Sequence, residues 1–209
     1  MRKLLEDTLI IATHNDGKLQ EISKLLENHT ILVHSSASLN LKEPEETENT
    51  FVGNARIKAH YASSETNFPA LADDSGIEVE CLNGAPGVYT ADWAETTTGR
   101  DFDMAMEKLW AEVQKTGAQK PFNAQFCSTL VLAWPDGHDE VFEGKIKGQL
   151  VWPICGTNGH GFDPMFLPDG FDLTFGEMNR WEKNKLSHRG LAFTKLIKNT
   201  TQTQTQLLK

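Results

Sequence analysis

The segment Ala70-Leu71-Ala72-Asp73-Asp74-Ser75-Gly76 constrains this chain more than any other. A short apolar run, suited to a buried strand, ends in two adjacent carboxylates, a hydroxyl and a glycine. In an α/β protein such a strand delivers acidic groups to the mouth of a site. Adjacent residues of a strand point to opposite faces, so one of Asp73 and Asp74 is expected to face that site. Two solvated turn residues are the plain alternative.

The surrounding pattern alternates strands and helices. Leu9 to Ala12 reads as a buried strand, followed from about Gly17 by a helix with Leu19, Ile22, Leu25 and Leu26 on one face. Ile31 to Val33 suggests a second strand. Asn40 to Asn49 is polar and acidic and reads as a loop, and Phe51 to Ala62 has apolar residues at helical spacing. Ala70 to Asp73 and Ile77 to Cys81 are predicted as strands flanking the acidic turn. Asn83-Gly84-Ala85-Pro86-Gly87 is a turn cluster. Asp101 caps a helix running to Val113. Ala124 to Trp134 and Glu140 to Val151 are two long strands joined by a hairpin at Pro135-Asp136-Gly137-His138. Pro153 to Pro168 is glycine-rich and irregular. A last helix is expected from Ser187 to Lys198, with 199–209 a frayed tail. The sum is α/β: one domain over 1–198 with a mixed sheet.

Composition narrows the partners. A formal net charge of −9 in 209 residues repels a polyanionic duplex, so nucleic acid is not expected. A single nucleotide escorted by a divalent cation remains compatible. No apolar run approaches the about 20 residues that a membrane helix needs. Glu6 and Asp7 interrupt the start Met1-Arg2-Lys3-Leu4-Leu5 at once, so a cytoplasmic location is expected. Cys81, Cys127 and Cys155 are far apart and read as reduced packing residues. Without secretion, the sequons Asn28-His29-Thr30 and Asn199-Thr200-Thr201 are chance matches.

Several loops then point to chemistry. Ile11-Ala12-Thr13-His14-Asn15-Asp16-Gly17-Lys18 is a strand entering a polar loop with a lysine. It is not a P-loop, because Ala12 and Leu19 stand where that motif needs glycine and a hydroxyl residue. A strand, a turn and a helix start can still point backbone amides at an anion; an ordinary strand-to-helix turn is the alternative. The acidic loop at Glu45-Glu46 can add a second carboxylate, and magnesium suits one or two carboxylates with waters and substrate phosphates. With Gly161-Phe162-Asp163-Pro164 and Ser187-His188-Arg189-Gly190, these features suggest a nucleotide enzyme.

Thr13 to Lys18, Glu45-Glu46-Thr47 before Thr50-Phe51, Ala72 to Gly76, Gly84-Ala85-Pro86-Gly87, Gly161 to Pro164, and Glu182-Lys183 before Ser187-His188-Arg189 occur in that order. Together, from about Leu9 to Ile197, they resemble the inosine triphosphate pyrophosphatase family, also called dITP/XTP pyrophosphatases. The resemblance implies an elongated α/β domain of two lobes around a long mixed sheet, a cleft between the lobes, a homodimer and a magnesium cofactor. It implies hydrolysis of ITP, dITP and XTP to the monophosphate and pyrophosphate. By position, Thr13, His14, Asn15, Asp16, Gly17 and Lys18 would cradle the triphosphate. Asp74 would be the catalytic carboxylate that ligates metal and orients or deprotonates the attacking water, with Glu46 the second metal-linked carboxylate. Ser75 would touch substrate and Lys58 would reach phosphate. His160, Gly161, Phe162 and Asp163 would line the base pocket, and Lys183, His188 and Arg189 would read the purine edge.

The chain departs from the family pattern in places. His160 stands where many relatives have a stacking Phe, Gly53 where a Glu commonly precedes Asn-Ala, and His14 where Gly is frequent. Two rivals remain: a catalytically silent nucleotide-binding regulator, and a pyrophosphatase for other modified nucleotides. Intact Asp74, Glu46 and Lys18 argue against the first, and the donors at 187–189 favour a purine over the second.

Overall fold

A computed structural model describes residues 1–27 and 31–200. The sequon at 28–30 and the tail from 201 lie outside the described residues. In chain order the elements are β1 (Thr8–Ile11), α1 (Asp16–Leu26), β2 (Leu32–Ser35), α2 (Phe51–Thr66), β3 (Ala70–Val79), the short pair β4 (Glu95–Thr96) and β5 (Gly99–Arg100), and α3 (Phe102–Lys115). Then follow β6 (Phe122–Ala133), β7 (Asp139–Leu150), β8 (Phe166–Pro168), α4 (Arg180–Leu186) and α5 (His188–Thr200). The helix starts are chemically marked. Asn15, Thr50, Asp101 and Asn179 each accept a backbone N–H of the first turn through the side chain. Such a cap typically contributes about 1 kcal/mol.

The main sheet runs in the order β2-β1-β3-β6-β7-β8. β1 lies parallel to β2 and β3, whereas β3, β6, β7 and β8 pair antiparallel. It is the mixed sheet expected. β3 pairs with β6 along its whole length, from Ala70 opposite Ala133 to Val79 opposite Ala124. It pairs with β1 only at Ala70 and Leu71. Beyond Leu71 the β1-side edge of β3 is open until the segment 85–90 covers it, through Ile77 N–H to Thr90 Oγ1 and Val79 N–H to Ala85 O.

Three apolar clusters hold the layers together. One face of the β1 half packs Leu9, Ile11, Leu71, Leu130 and Leu132 against α1 and α5. The opposite face packs Ile10, Ala12, Ala70 and Ala72 against Ala55, Ala59 and Ala62 of α2, where small side chains let the helix lie close. The far half of β3 and β6 packs Ile77, Val79, Ala124 and Phe126 against α3 and residues 162–178. Asp73 to Gly76 sit where these cores meet. Gly76 is required there: a Cβ would drive into the Gly87 carbonyl oxygen and Thr90 Oγ1.

Two elements differ from expectation. The acidic segment is not a turn between strands but the middle of one, because β6 supplies partners across it. The last helix is two helices. Asn179 starts α4 ahead of the expected site, and Ser187, with extended backbone angles, breaks it from α5, which runs to Thr200. No described helix is long and apolar enough to cross a membrane.

Candidate active site

Asp73 and Asp74 project to opposite faces of β3, yet both reach the wall of one cavity of about 380 Å³. The break in β1–β3 pairing opens the edge between them. On the α2 side, Lys58 Nζ donates to Asp74 Oδ1 at 3.0 Å and to Glu46 Oε1 at 2.9 Å. Lys58 is delivered by the same helix face as Ala55 and Ala62, so its charged end is carried inward by apolar packing. Burial opposes its charge, but Asp74 and Glu46 outweigh burial and raise its pKa. Burial pushes Asp74 up to about 6, against the pull of Lys58 and Lys18 and with a further push from Glu46. Asp74 Oδ2 is shut away from solvent without a hydrogen-bond partner among the described residues.

On the α1 side, Asp73 is saturated. It accepts from Ser128 Oγ (2.6 Å), Ser75 Oγ (3.0 Å) and Arg189 Nη2 (3.2 Å), and pairs with Lys18 Nζ at 2.8 Å. Burial alone would raise its pKa; Arg189 and Lys18 instead hold it well below the usual carboxylate range. Ser75, Ser128 and Gly144 stand opposite one another across β3, β6 and β7. That row of small residues lets the start of α5 settle on the sheet. At Gly144 any Cβ would strike the His188 carbonyl oxygen.

The loop after β1 is self-supporting. Thr13 Oγ1 accepts the Asn15 N–H and Asn15 Oδ1 accepts the Lys18 N–H, which places Lys18 over Asp73. His14 is exposed and its Nε2 donates to the Leu41 carbonyl at 2.9 Å, tying this loop to the acidic one. Asp16 opens α1. Gly17 lies in its first turn, where a Cβ would come to 3.2 Å from Asn15 Oδ1.

At the other end, Lys183 Nζ donates to Asp163 Oδ2 at 2.6 Å, and the His160 N–H donates to the same oxygen at 2.7 Å. Phe162 is buried edge-on against Phe102, at 5.9 Å between ring centres. Gly161, at φ +67°, turns the chain between His160 and Phe162. His160 is 42% exposed, with Nδ1 3.6 Å from Glu21 Oε1. Partial burial and the Lys183 ammonium lower its pKa. His188 stacks on Phe126 at 4.8 Å. Burial, then Arg189 and Lys183, keep it neutral, and its Nδ1 has no partner among the described residues. Arg189 bridges Glu21 and Asp73 and donates to Ser75 Oγ at 3.0 Å, while its Nε is likewise without a partner. Burial opposes its charge, but the two carboxylates raise its pKa further.

Of the residues singled out from sequence, Thr13, His14, Asn15, Lys18, Glu46, Lys58, Asp74, Ser75, His160 to Asp163, Lys183, His188 and Arg189 all line this cavity; Gly17 and the exposed Glu45 do not. Glu21 escaped sequence reasoning. Its carboxylate is held below the usual range because Arg189, Lys183 and His160 outweigh burial. The available signal was a charged residue beside Ile22 on the inward face of α1. Glu48, Tyr61, Tyr89, Phe102 and Phe126 also line the wall.

The Ham1 family model matches residues 9–199. The dITP/XTP pyrophosphatase of Ruegeria pomeroyi is 62% identical over 192 residues, covering 92% of this chain and 94% of that protein. The dITP/XTP pyrophosphatase of Agrobacterium fabrum is 50% identical, covering 94% and 97%. Among solved structures, the HAM1 protein of Coxiella burnetii superposes with a TM-score of 0.84 at 31% identity, covering 91% of this chain and 96% of that one. The nucleoside-triphosphatase / dITP/XTP pyrophosphatase of Mycobacterium abscessus gives 0.73 at 34% identity, covering 91% and 98%. These matches take in nearly every residue that builds the cavity, and the chain belongs to the Ham1 family.

Proposed function

We infer that the protein hydrolyses non-standard purine nucleoside triphosphates, ITP, dITP and XTP, to the monophosphate and pyrophosphate. The observation that carries the reading is the buried, unpartnered Asp74 Oδ2 in a cavity that also holds Lys18, Lys58 and a donor-rich far end. A buried carboxylate oxygen without a partner is costly, and a hard cation satisfies it. The residues therefore fit a divalent cation held by Asp74 with Glu46 beside it, and magnesium matches this all-oxygen donor set. No three described His, Cys, Asp or Glu side chains converge as a metal cluster, and a magnesium ion needs only one or two carboxylates where waters and substrate phosphates would supply its other ligands.

Magnesium, when bound, offsets the negative charge that builds on the phosphoryl oxygens and the leaving pyrophosphate. Lys18, with the side chains of Thr13 and Asn15 beside it, holds the phosphate chain. Asp74 orients or deprotonates the attacking water; Lys58 fixes the Asp74 carboxylate through Oδ1, and Oδ2 is the oxygen that would hold the cation. At the base end, Asp163 steadies Lys183, and Glu21 with Asp73 steadies Arg189. His188 is neutral. The purine's 6-oxo acceptor meets these donors, where the 6-amino group of adenine would leave them unpaired. His160 lies beside them as the base-stacking ring. The enzyme acts as a cytoplasmic homodimer, the state that the family resemblance suggests; sedimentation of the purified protein tests it.

The deciding assay offers ITP, dITP, XTP, GTP and ATP with magnesium and measures pyrophosphate and orthophosphate separately. Pyrophosphate release with strong preference for the first three is expected. Stepwise orthophosphate release, or equal turnover of ATP, would overturn the reading.

A further inference from the structure

Gly53 is the third residue of α2, and its N–H is taken by the capping Thr50 Oγ1 at 3.1 Å. A Cβ placed on Gly53 would lie 2.5 Å from Glu48 Cβ and 2.6 Å from Glu48 Cγ. The Cβ is fixed to the Glu48 main chain and cannot swing aside as a side-chain tip can. The Glu48 main chain is itself anchored, because its N–H donates to Oδ1 of buried Asn54 at 3.0 Å. The stem of Glu48 therefore fills the volume that any side chain at position 53 would need. From there Glu48 joins the cavity wall that contains Glu46, Lys58 and Asp74.

Glu46 and Asp74 share the Lys58 ammonium, and Glu48 adds a further carboxylate to the same cavity wall without an ion pair to Lys58. An independent sign of a ligand is present as well: the Asp74 side chain is 7% exposed, lines the cavity, and carries the unpartnered Oδ2. We propose that Glu48, seated over Gly53, is a further positioning carboxylate for the divalent cation held at Asp74, and that residue 53 is glycine to admit it. The proposal rests on the metal-bearing role of Asp74 described above.

The test uses the full chain without nucleotide and titrates Mn²⁺, followed by calorimetry or by the loss of its free-ion magnetic resonance signal. Glu48→Gln should weaken manganese binding on the order of tenfold, as loss of a carboxylate supporting a metal commonly does. Its urea midpoint should match the parent, because Glu48 is exposed. The exchange Glu48→Gly with Gly53→Glu should recover binding relative to Glu48→Gly alone, because the carboxylate enters the same volume from the other side. Equal manganese affinity of Glu48→Gln and the parent, in a series where Asp74→Asn loses it, overturns the role of Glu48 alone. A parent that takes up no manganese and turns over without a divalent cation overturns both this role and the metal-dependent reading.

Discussion

Asp73 and Asp74 are neighbours on one strand with opposite fates. Asp73 has hydroxyls and two cations around it, and its charge is fully compensated. Asp74 has one ammonium on one oxygen and nothing on the other. Burial is almost equal, at 2% and 5% exposure, so desolvation does not separate them. Partner count does. The saturated carboxylate is part of the scaffold and holds Lys18 and Arg189 in place; the half-satisfied one has spare capacity and an elevated pKa, the state expected of a group that acts on a ligand.

The sharpest way to break this contrast is Asp74→Asn. Turnover should fall by roughly 10²–10⁴, the range for a positioned acid–base group, while circular dichroism and the urea midpoint stay near the parent's. Asp73→Asn should behave in the opposite sense. It leaves Arg189 and Lys18 without their shared anion, a loss of about 3–5 kcal/mol for a buried pair, read as a lower urea midpoint. A stable Asp73→Asn protein with the larger loss of turnover would exchange the two roles.

The two carboxylates also differ in the sign of their pH dependence. Asp74 has a folded pKa raised from 3.8 to about 6, so metal-free native protein binds more protons than unfolded protein in that window. Its contribution to stability falls as pH rises from about 4 to 6. Asp73, depressed in the native state, contributes stability above the ordinary carboxylate range and loses it only in stronger acid. Melting curves in chelator should therefore show Asp74→Asn gaining on the parent as pH climbs through that window. A constant difference would mean that the elevated pKa is not a property of the folded protein.

Smaller effects belong to the base end. Arg189→Lys keeps a charge between Glu21 and Asp73 but removes the planar fork. The ratio of kcat/KM for ITP over ATP should drop by about tenfold or more, since one hydrogen bond to a charged group contributes roughly 1.5–3 kcal/mol. An unchanged ratio would show that Arg189 only braces the fold. His160→Phe should lower KM for ITP modestly with little change in kcat, as added uniform binding does. An unchanged KM would identify the exposed imidazole as a surface group.

The same contrast marks how far the sequence could be read. The buried start of β3, the helix capped by Asp101 and the long hairpin were legible because their signals are local: apolar period, a capping side chain and turn residues. The polar cavity residues that lie in short motifs were legible through the family resemblance, whereas wall residues outside those motifs, such as Tyr61, Tyr89 and Phe102, were not. The continuation of β3 through Asp73-Asp74-Ser75 was not. Its polar residues look like a turn until β6, over fifty residues later, supplies their partners. Glu21 was hidden for a similar reason, since Arg189, 168 residues away, gives its charge a purpose. The early start of α4 was marked by Asn179, but the polar run around it offered no apolar period to follow.

The short contact between β1 and β3 has a consequence beyond opening the cavity. An unpaired strand edge is an invitation to another chain, and a hydrophobic one seeds aggregates. Here the uncovered stretch carries two carboxylates, with Lys18 across it, and is bounded by the segment 85–90. The groups that make the cleft fit for phosphate chemistry also guard the edge against misassembly. Neutralising both Asp73 and Asp74 should therefore show itself during refolding as light scattering, a cost in solubility.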